Sequence, residues 1–181
     1  MIKNQIKTLF FFIGLLYFLL LVDLILPIQI KTFGIVPRTK IGLIGIVTAP
    51  FLHGNLMHLV SNTIPLTVLV SVLMFFYPKK LLRVMLQVIL LGGVLVWCFG
   101  RPGNHIGASG LIYGLMGFLV ANGLIQRNFK AISIAVAVVA AYSGLIYGIF
   151  PTNPSVSWEG HLFGAVAGIF ASYELSKIKT K

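Results

Sequence analysis

Acidic residues are scarce in this sequence: among 181 residues there are three, Asp23, Glu159 and Glu174. Charged residues of both signs make up 9% of the chain, whereas soluble domains carry roughly 25%. Hydrophobic residues make up 58%, and a domain of this size cannot hide so much apolar surface from water. We therefore predict an all-α membrane protein whose main solvent is lipid, forming a single domain over residues 1–181.

Cysteine is also scarce, because Cys98 is the single cysteine and an intramolecular disulfide is therefore excluded. Lys and Arg together number 14 and give a formal net charge of +11, a balance that is typical of some nucleic-acid-binding proteins. Here the basic residues occur singly or in pairs between apolar runs instead of clustering, so we expect no nucleic-acid partner. Their distribution is better explained as a topology signal.

Six apolar runs have the approximate length, roughly 20 residues, that a membrane-spanning helix needs. They cover approximately residues 8–27, 52–77, 82–99, 109–126, 131–150 and 157–175. The first run is too long for a signal peptide and no small-residue cleavage site follows it, so we interpret it as a retained span. No internal repeat is visible, which argues against a transporter built from two halves.

The basic residues are distributed unequally between the two sides of these spans. The tails and even-numbered connections carry ten of them: Lys3, Lys7, Lys79, Lys80, Arg83, Arg127, Lys130, Lys177, Lys179 and Lys181. The odd-numbered connections carry four: Lys31, Arg38, Lys40 and Arg101. The positive-inside rule therefore predicts a multi-pass protein of the cell membrane with both termini in the cytoplasm. The first outer connection, about residues 28–51, is apolar enough to lie in the outer interface.

Polar side chains inside the spans are few, and they share one position, near the start of an even-numbered span. They are His53, His58, Ser61, Asn62, Ser109, Glu159 and His161. Because even-numbered spans would start at the outer face, the topology places all of them at a similar depth near that face. Polar groups at membrane depth are functional candidates.

Small residues form stripes on the fourth and sixth spans, where glycines recur every three or four residues. We expect close helix packing at Gly107, Gly110, Gly114, Gly160, Gly164 and Gly168, because residues without a side chain let helix backbones approach in lipid. If the two stripes face each other, Ser109 and His161 come together at one level.

Ser109 is the candidate nucleophile, since it lies among glycines at a predicted helix start where free backbone N–H groups favour an oxyanion. His161 is the candidate general base that takes the serine proton. His58 and Asn62 are four residues apart, share one helix face and suit the role of oxyanion donors.

An orienting acid for His161 is not evident. Glu159 lies two residues before His161 and points away from it on a helix, so we expect a Ser–His dyad without a carboxylate. Tyr113, one helical turn after Ser109, is a candidate ring to pack against the imidazole. The sequence suggests no partner for Asp23.

Three motifs in order carry a family resemblance: residues 53–62 with His53, His58 and Asn62, residues 107–114 with Gly-Ala-Ser-Gly, and residues 160–168 with Gly-His. With them the chain resembles the rhomboid family of intramembrane serine proteases over about residues 50–170. The resemblance implies a rhomboid-like bundle of six transmembrane helices, and it implies no cofactor or metal.

The resemblance also implies roles for individual residues. Ser109 would be the nucleophile and His161 the base, with Tyr113 stacked on the base. His58, Asn62 and the Ser109 backbone N–H would hold the oxyanion. The implied substrates are transmembrane segments of single-span or multi-span membrane proteins, cut near the outer face of the bilayer and often at small residues.

The chain departs from the family pattern in one connection. Many members have a Trp-Arg pair in the first outer loop, whereas Pro37-Arg38 stands here. No extra domain before the first span and no seventh helix are expected, which is typical of the minimal six-span bacterial form.

Two other readings use the same residues. Zinc could take His53, His58, His105 and His161, although His53 and His58 are five residues apart without the acid of a zincin helix. A channel, a transporter or an inactive relative that binds membrane helices is the non-enzyme alternative, but the chain keeps both Ser109 and His161. We expect His53 to bond a loop backbone, and His105 to be solvated or to contact a substrate gate.

Overall fold

The computed structural model describes the backbone of residues 2–177 and the side chains from residue 5 onward. Its α-helices are α1 Ile2–Ile25, α2 Gly42–Thr48, α3 Leu56–Phe76, α4 Leu81–Gln87, α5 Gly93–Phe99, α6 Ser109–Gln126, α7 Phe129–Tyr142 and α8 Trp158–Lys177. The described residues contain no β-strand, and the all-helical prediction is confirmed. Three of the topology signals, the Lys3 side chain, Lys179 and Lys181, lie outside what the structure describes.

Five helical segments are long and apolar enough to cross a membrane: Gln5–Ile25, Leu56–Phe76, Leu81–Phe99, Ser109–Gln126 and Phe129–Ile149. They correspond to the first five predicted spans. The sixth predicted span is present as the helix α8, but polar residues such as Glu159 and His161 make it less apolar. The helical architecture is therefore confirmed, while the number of six spans stays a prediction.

Two predicted helix starts differ from the structure by about four residues or more. The first helix begins at Ile2, before the apolar run that predicted a start at residue 8. The second span begins at Leu56 instead of residue 52, because Asn55 caps the helix by accepting a hydrogen bond from the His58 N–H at 2.8 Å. His53 consequently lies in the preceding loop and not on α3.

The centre of the bundle is the contact between α6 and α8, where glycine meets glycine. A methyl group added to Gly164 would overlap the carbonyl oxygen of Gly110, and one added to Gly168 would overlap that of Gly114. The two glycine stripes therefore face each other in the structure. Gly107 is the exception among the expected packing glycines, because it precedes α6 and lies against His58 instead of α8.

The third span contains a wide helical turn. The segment Val88–Gly92 between α4 and α5 is π-helical, which adds one residue to a turn. A methyl group on Gly92 would touch Gly164 of α8 at 3.5 Å, and one on Gly93 would approach Ile46 of α2 to 2.8 Å. The wide turn thus places two adjacent glycines against two different neighbours.

The first connection, which begins with the 3-10 turn Ile30–Phe33, is fixed to the end of α5. Arg38 donates from its backbone to the Trp97 carbonyl at 3.0 Å, and from Nη1 to the carbonyls of Cys98 at 3.2 Å and Gly100 at 2.8 Å. Trp97 donates in return from its indole Nε1 to the Thr39 carbonyl at 2.9 Å. In this chain the arginine of the first connection satisfies helix-terminal carbonyls, which have no partner within the helix itself.

Replacing Arg38 with methionine should destabilise the protein by about 1–2 kcal/mol, because two carbonyls lose charge-assisted hydrogen bonds while side-chain length is kept. Thermal unfolding in detergent measures the loss. Lys40→Met is the matched control, since Lys40 is an exposed cation two residues away. Equal melting temperatures for the two variants would contradict the docking role of Arg38.

Candidate active site

A cavity of about 670 Å³ opens at the end of the bundle where α3, α6 and α8 begin. The predicted site residues lie together in its lining: His58, Asn62, Ser109, Tyr113 and His161. The loop before α6 and the loop before α8 complete the wall. The structure thus brings all five side chains to the lining of one cavity.

Ser109 is the first residue of α6 and is half-buried. The preceding residue Ala108 offers no side-chain cap, which leaves N–H groups of the first turn for a ligand. Gly107 holds a positive φ of 114°, a conformation that suits glycine. A side chain at Gly107 would also approach the His58 Nε2 to 2.7 Å. In the described part of the chain, no hydrogen bond engages the Ser109 hydroxyl.

His161 lies in the first turns of α8 and is 8% exposed. Its Nδ1 donates a hydrogen bond to the Gly148 carbonyl at 2.8 Å. Its ring lies parallel to that of Tyr113, with centroids 4.2 Å apart and planes 8° apart. A neutral imidazole carries one proton, so an Nδ1–H leaves Nε2 as the free acceptor. The imidazole is therefore fixed in position, and in its neutral form Nε2 is the unprotonated nitrogen.

The short helix that extends α7, the 3-10 segment Ser143–Ile149, provides the partners of both rings. The Tyr113 hydroxyl donates to the Leu145 carbonyl at 2.5 Å, and His161 donates to Gly148. The sequence did not indicate this segment as part of the site. Its contribution is two backbone carbonyls, and a backbone carbonyl has no characteristic residue type.

His58 and Asn62 occupy the first turns of α3. The His58 Nδ1 accepts a long hydrogen bond, 3.5 Å, from the Gly54 N–H, which assigns the proton of a neutral ring to Nε2. Asn62 is 4% exposed and donates from Nδ2 to the His58 carbonyl at 2.7 Å. An amide nitrogen has two hydrogens, so one stays free for a ligand. Both side chains are thus arranged as donors at the cavity wall.

His53 lies behind this wall and is 2% exposed. Its Nε2 accepts a hydrogen bond from the backbone N–H of Ala108 at 3.4 Å, which confirms that His53 bonds a loop backbone. Burial, and then the nearby charge of His58, lower the pKa of His53 to about 4. His53 is therefore neutral near pH 7, as an acceptor must be, and it supports the residue that precedes Ser109.

Glu159 does not orient His161, because it is engaged elsewhere. It is 1% exposed and accepts from the Arg101 backbone N–H at 3.2 Å, with Arg101 Nε 3.5 Å away. The Arg101 guanidinium also donates to the carbonyls of Pro154 at 2.9 Å and Val156 at 2.6 Å. This ion pair fastens the loop before α8.

His105 is 7% exposed, so the expectation of a solvated side chain is wrong. Its Nδ1 lies 2.6 Å from the Ser157 hydroxyl, and its Nε2 lies 3.0 Å from the Arg101 carbonyl. Its backbone pairs with that of Ile35 through two hydrogen bonds of 2.9 Å. His105 therefore joins the loop before α6 to the loop before α8 and to the first connection.

The alternative zinc site has no ligand set in the structure. Among the described side chains, no three His, Cys, Asp or Glu residues converge in a way that would hold a metal ion. His53 and His58 pack edge to face with ring centroids 5.0 Å apart, and the backbone bonds described above occupy one nitrogen of each.

Comparison with known proteins gives one family and several relatives. The family model described as the Rhomboid domain matches residues 40–178. Uncharacterized proteins of Mycobacterium tuberculosis and Mycobacterium bovis are each 38% identical to this chain over 183 residues, and the alignments cover 96% of this chain and 76% of theirs. An uncharacterized protein of Mycobacterium leprae has the same identity and length of alignment, which covers 72% of that protein.

Proposed function

Because the chain belongs to the rhomboid family, whose members are intramembrane serine proteases, we propose that it hydrolyses peptide bonds in the transmembrane segments of other membrane proteins. The observation that carries this proposal is the position of His161. The ring is held between the Tyr113 ring and the Gly148 carbonyl, which in a neutral imidazole leaves Nε2 unprotonated, and it shares a cavity with Ser109. A positioned base in the same cavity as a serine at a helix start provides the two groups that acyl transfer requires.

In the proposed reaction, the Ser109 oxygen attacks the scissile carbonyl while His161 Nε2 takes the hydroxyl proton. The imidazolium that forms keeps its Nδ1–H on the Gly148 carbonyl. It then gives the Nε2 proton to the leaving amine, and a water molecule activated by the same nitrogen hydrolyses the acyl-enzyme. Because Ser109 and His161 make no hydrogen bond in this structure, substrate binding has to bring them within reach.

The oxyanion is assigned to three donors: the Ser109 backbone N–H, the His58 Nε2–H and the free Asn62 amide hydrogen. The Ser109 N–H belongs to the first turn of α6, whose positive dipole end also favours a developing negative charge. His58 has its Nδ1 directed at Gly54, so its Nε2 is the donor. Donors held in place before reaction stabilise the transition state without reorganisation.

The proposed setting is the cell membrane, with six spans, both termini in the cytoplasm and the cavity near the outer face. This arrangement is supported by the bias of basic residues and by the five apolar helices. Substrates would be single-span or multi-span membrane proteins.

The test is cleavage of a single-span model substrate by the purified full-length protein in detergent, together with labelling by a fluorophosphonate. We expect cleavage within or beside the transmembrane segment, and a covalent adduct located at Ser109 by mass spectrometry. Cleavage that is lost with a chelator, or a chain that binds the substrate without cutting it, would contradict the serine mechanism.

Alanine substitution of either oxyanion side chain, His58 or Asn62, should lower kcat by about 10²–10³-fold, because the donors act on the transition state more than on bound substrate. KM should change little. Kinetics with the model substrate measure both constants. Ser61→Ala is the control, since Ser61 lies on the same helix and its hydroxyl donates to the His58 carbonyl at 2.9 Å. Activity that is equal in all three variants would remove these donors from the mechanism.

A further inference from the structure

One glycine of the segment that extends α7 has no room for a side chain. A methyl group at Gly148 would overlap the Tyr113 hydroxyl and would lie 2.9 Å from the His161 Nδ1. Gly144 belongs to the same segment Ser143–Ile149, yet a methyl group there meets no atom within 4 Å. The backbone at Gly148 is thus in close contact with both stacked rings, whereas the backbone at Gly144 has free space beside it.

We propose that Gly148 is the positioning residue of the catalytic base, a role that rests on the proposed Ser109–His161 dyad. Its carbonyl accepts the Nδ1–H of His161 at 2.8 Å and thereby selects the tautomer in which Nε2 can take a proton. The hydrogen bond made by one ring nitrogen decides which nitrogen of a histidine is protonated. In this chain a backbone carbonyl does what a carboxylate does in a catalytic triad.

The other groups around His161 do not provide this restraint. Glu159, on the same helix, accepts a hydrogen bond from the Arg101 backbone N–H and forms an ion pair with the Arg101 guanidinium. Tyr113 covers the face of the ring and offers no hydrogen bond to it, because its hydroxyl is donated to the Leu145 carbonyl. The Gly148 carbonyl is therefore the acceptor that fixes the tautomer.

The same geometry makes the base depend on the position of the α7 extension. Two hydrogen bonds hold Ser143–Ile149 in place, one from Tyr113 to Leu145 and one from His161 to Gly148. When the segment moves away, His161 loses its acceptor and both tautomers become accessible. His161 can therefore accept the Ser109 proton only while the segment Ser143–Ile149 is docked against the two rings.

The tautomer can be measured without any substrate. We would record ¹⁵N NMR spectra of the histidine-labelled full-length protein in detergent and identify the His161 signals by their absence in His161→Gln. The wild-type protein and Gly144→Ala should show the Nδ1–H form of His161. Gly148→Ala should show loss of that form, because the added methyl displaces the ring from the carbonyl.

Kinetics provide the second readout on the same proteins. A wrong tautomer lowers kcat by about 10⁴-fold when a triad carboxylate is replaced, and for a neutral carbonyl we expect a loss of roughly 10²–10³-fold in Gly148→Ala. KM should stay within about threefold of wild type, since the lost interaction serves the transition state. Gly144→Ala should cleave like the wild type.

If Gly148→Ala fails to fold, a second variant that removes an atom instead of adding one tests the same role. Tyr113→Phe removes the anchor to Leu145, and we expect a mixture of His161 tautomers and a fall in kcat of about tenfold. An Nε2–H tautomer in the wild type, or an unchanged tautomer and kcat in Gly148→Ala, would overturn the positioning role. The NMR result does not depend on catalysis. A wild-type protein that cleaves no substrate but shows the Nδ1–H form would contradict the proposed function and leave the positioning role of Gly148 standing.

Discussion

Replacing Ser109 with alanine should reduce kcat by up to about 10⁶-fold, and His161→Ala should do the same. Without the hydroxyl there is no acyl-enzyme, and without the imidazole nothing accepts the serine proton. Because the two residues act as one unit, the double variant should be no slower than either single variant. Cleavage of the single-span substrate, followed by product formation over time, measures all three.

Ser61→Ala is the matched control for this experiment, because it also deletes one serine hydroxyl at the cavity but leaves the proposed dyad intact. Its rate should equal that of the wild type. The melting temperature of each variant separates a catalytic loss from unfolding. A Ser109→Ala protein that still cleaves, or a double variant far slower than both single variants, would contradict the dyad.

Gly168→Ala should have the largest effect on stability, on the order of 3 kcal/mol or more in the free energy of unfolding. The added methyl would overlap the Gly114 carbonyl oxygen and would lie 2.9 Å from the Phe118 backbone nitrogen. Overpacking in a core is usually relieved when side chains change rotamer. Here backbone atoms stand opposite, so α6 and α8 themselves have to separate, and the Ser109–His161 geometry would be lost with them.

The comparison for Gly168→Ala is Gly14→Ala in α1, where a methyl group meets no atom within 4 Å. That variant should be neutral or slightly stabilising, because alanine has the higher helix propensity by about 1 kcal/mol. Thermal unfolding in detergent and cleavage of the model substrate are measured on both. Similar melting temperatures would show that α6 and α8 are less tightly packed than the glycine contacts indicate.

Much of the site follows from the sequence because membrane depth is a strong constraint. Apolar runs define the spans, basic residues give their direction, and the few polar side chains then fall at one end of the bundle. The cavity lined by His58, Ser109 and His161 agrees with that convergence. The facing glycine stripes were predictable for a similar reason, since a residue without a side chain on a lipid-embedded helix is most useful at a close contact.

The partners of the site residues were not predictable, because they depend on loops. Arg101 and Glu159 are 58 residues apart, and only the folded chain shows that they pair. Asp23, for which the sequence suggested no partner, accepts from the Lys31 backbone N–H at 3.1 Å and lies 3.4 Å from the Lys31 ammonium. The Gly148 carbonyl is the extreme case, since every residue has a carbonyl and its role is set by where α7 ends.

The π turn at Val88–Gly92 constrains the number of residues in the third span. Each residue advances a helix by about 100°. The extra residue of the wide turn therefore rotates the side chains of α5 by about 100° relative to those of α4. Before the turn, Val84 is buried in the main core, and after it, Val96 packs beside Ile35 in a second cluster. Deleting one residue from this turn would leave both α4 and α5 helical. Their buried faces would no longer be aligned, so either Val84 or Val96 would lose its place in its cluster.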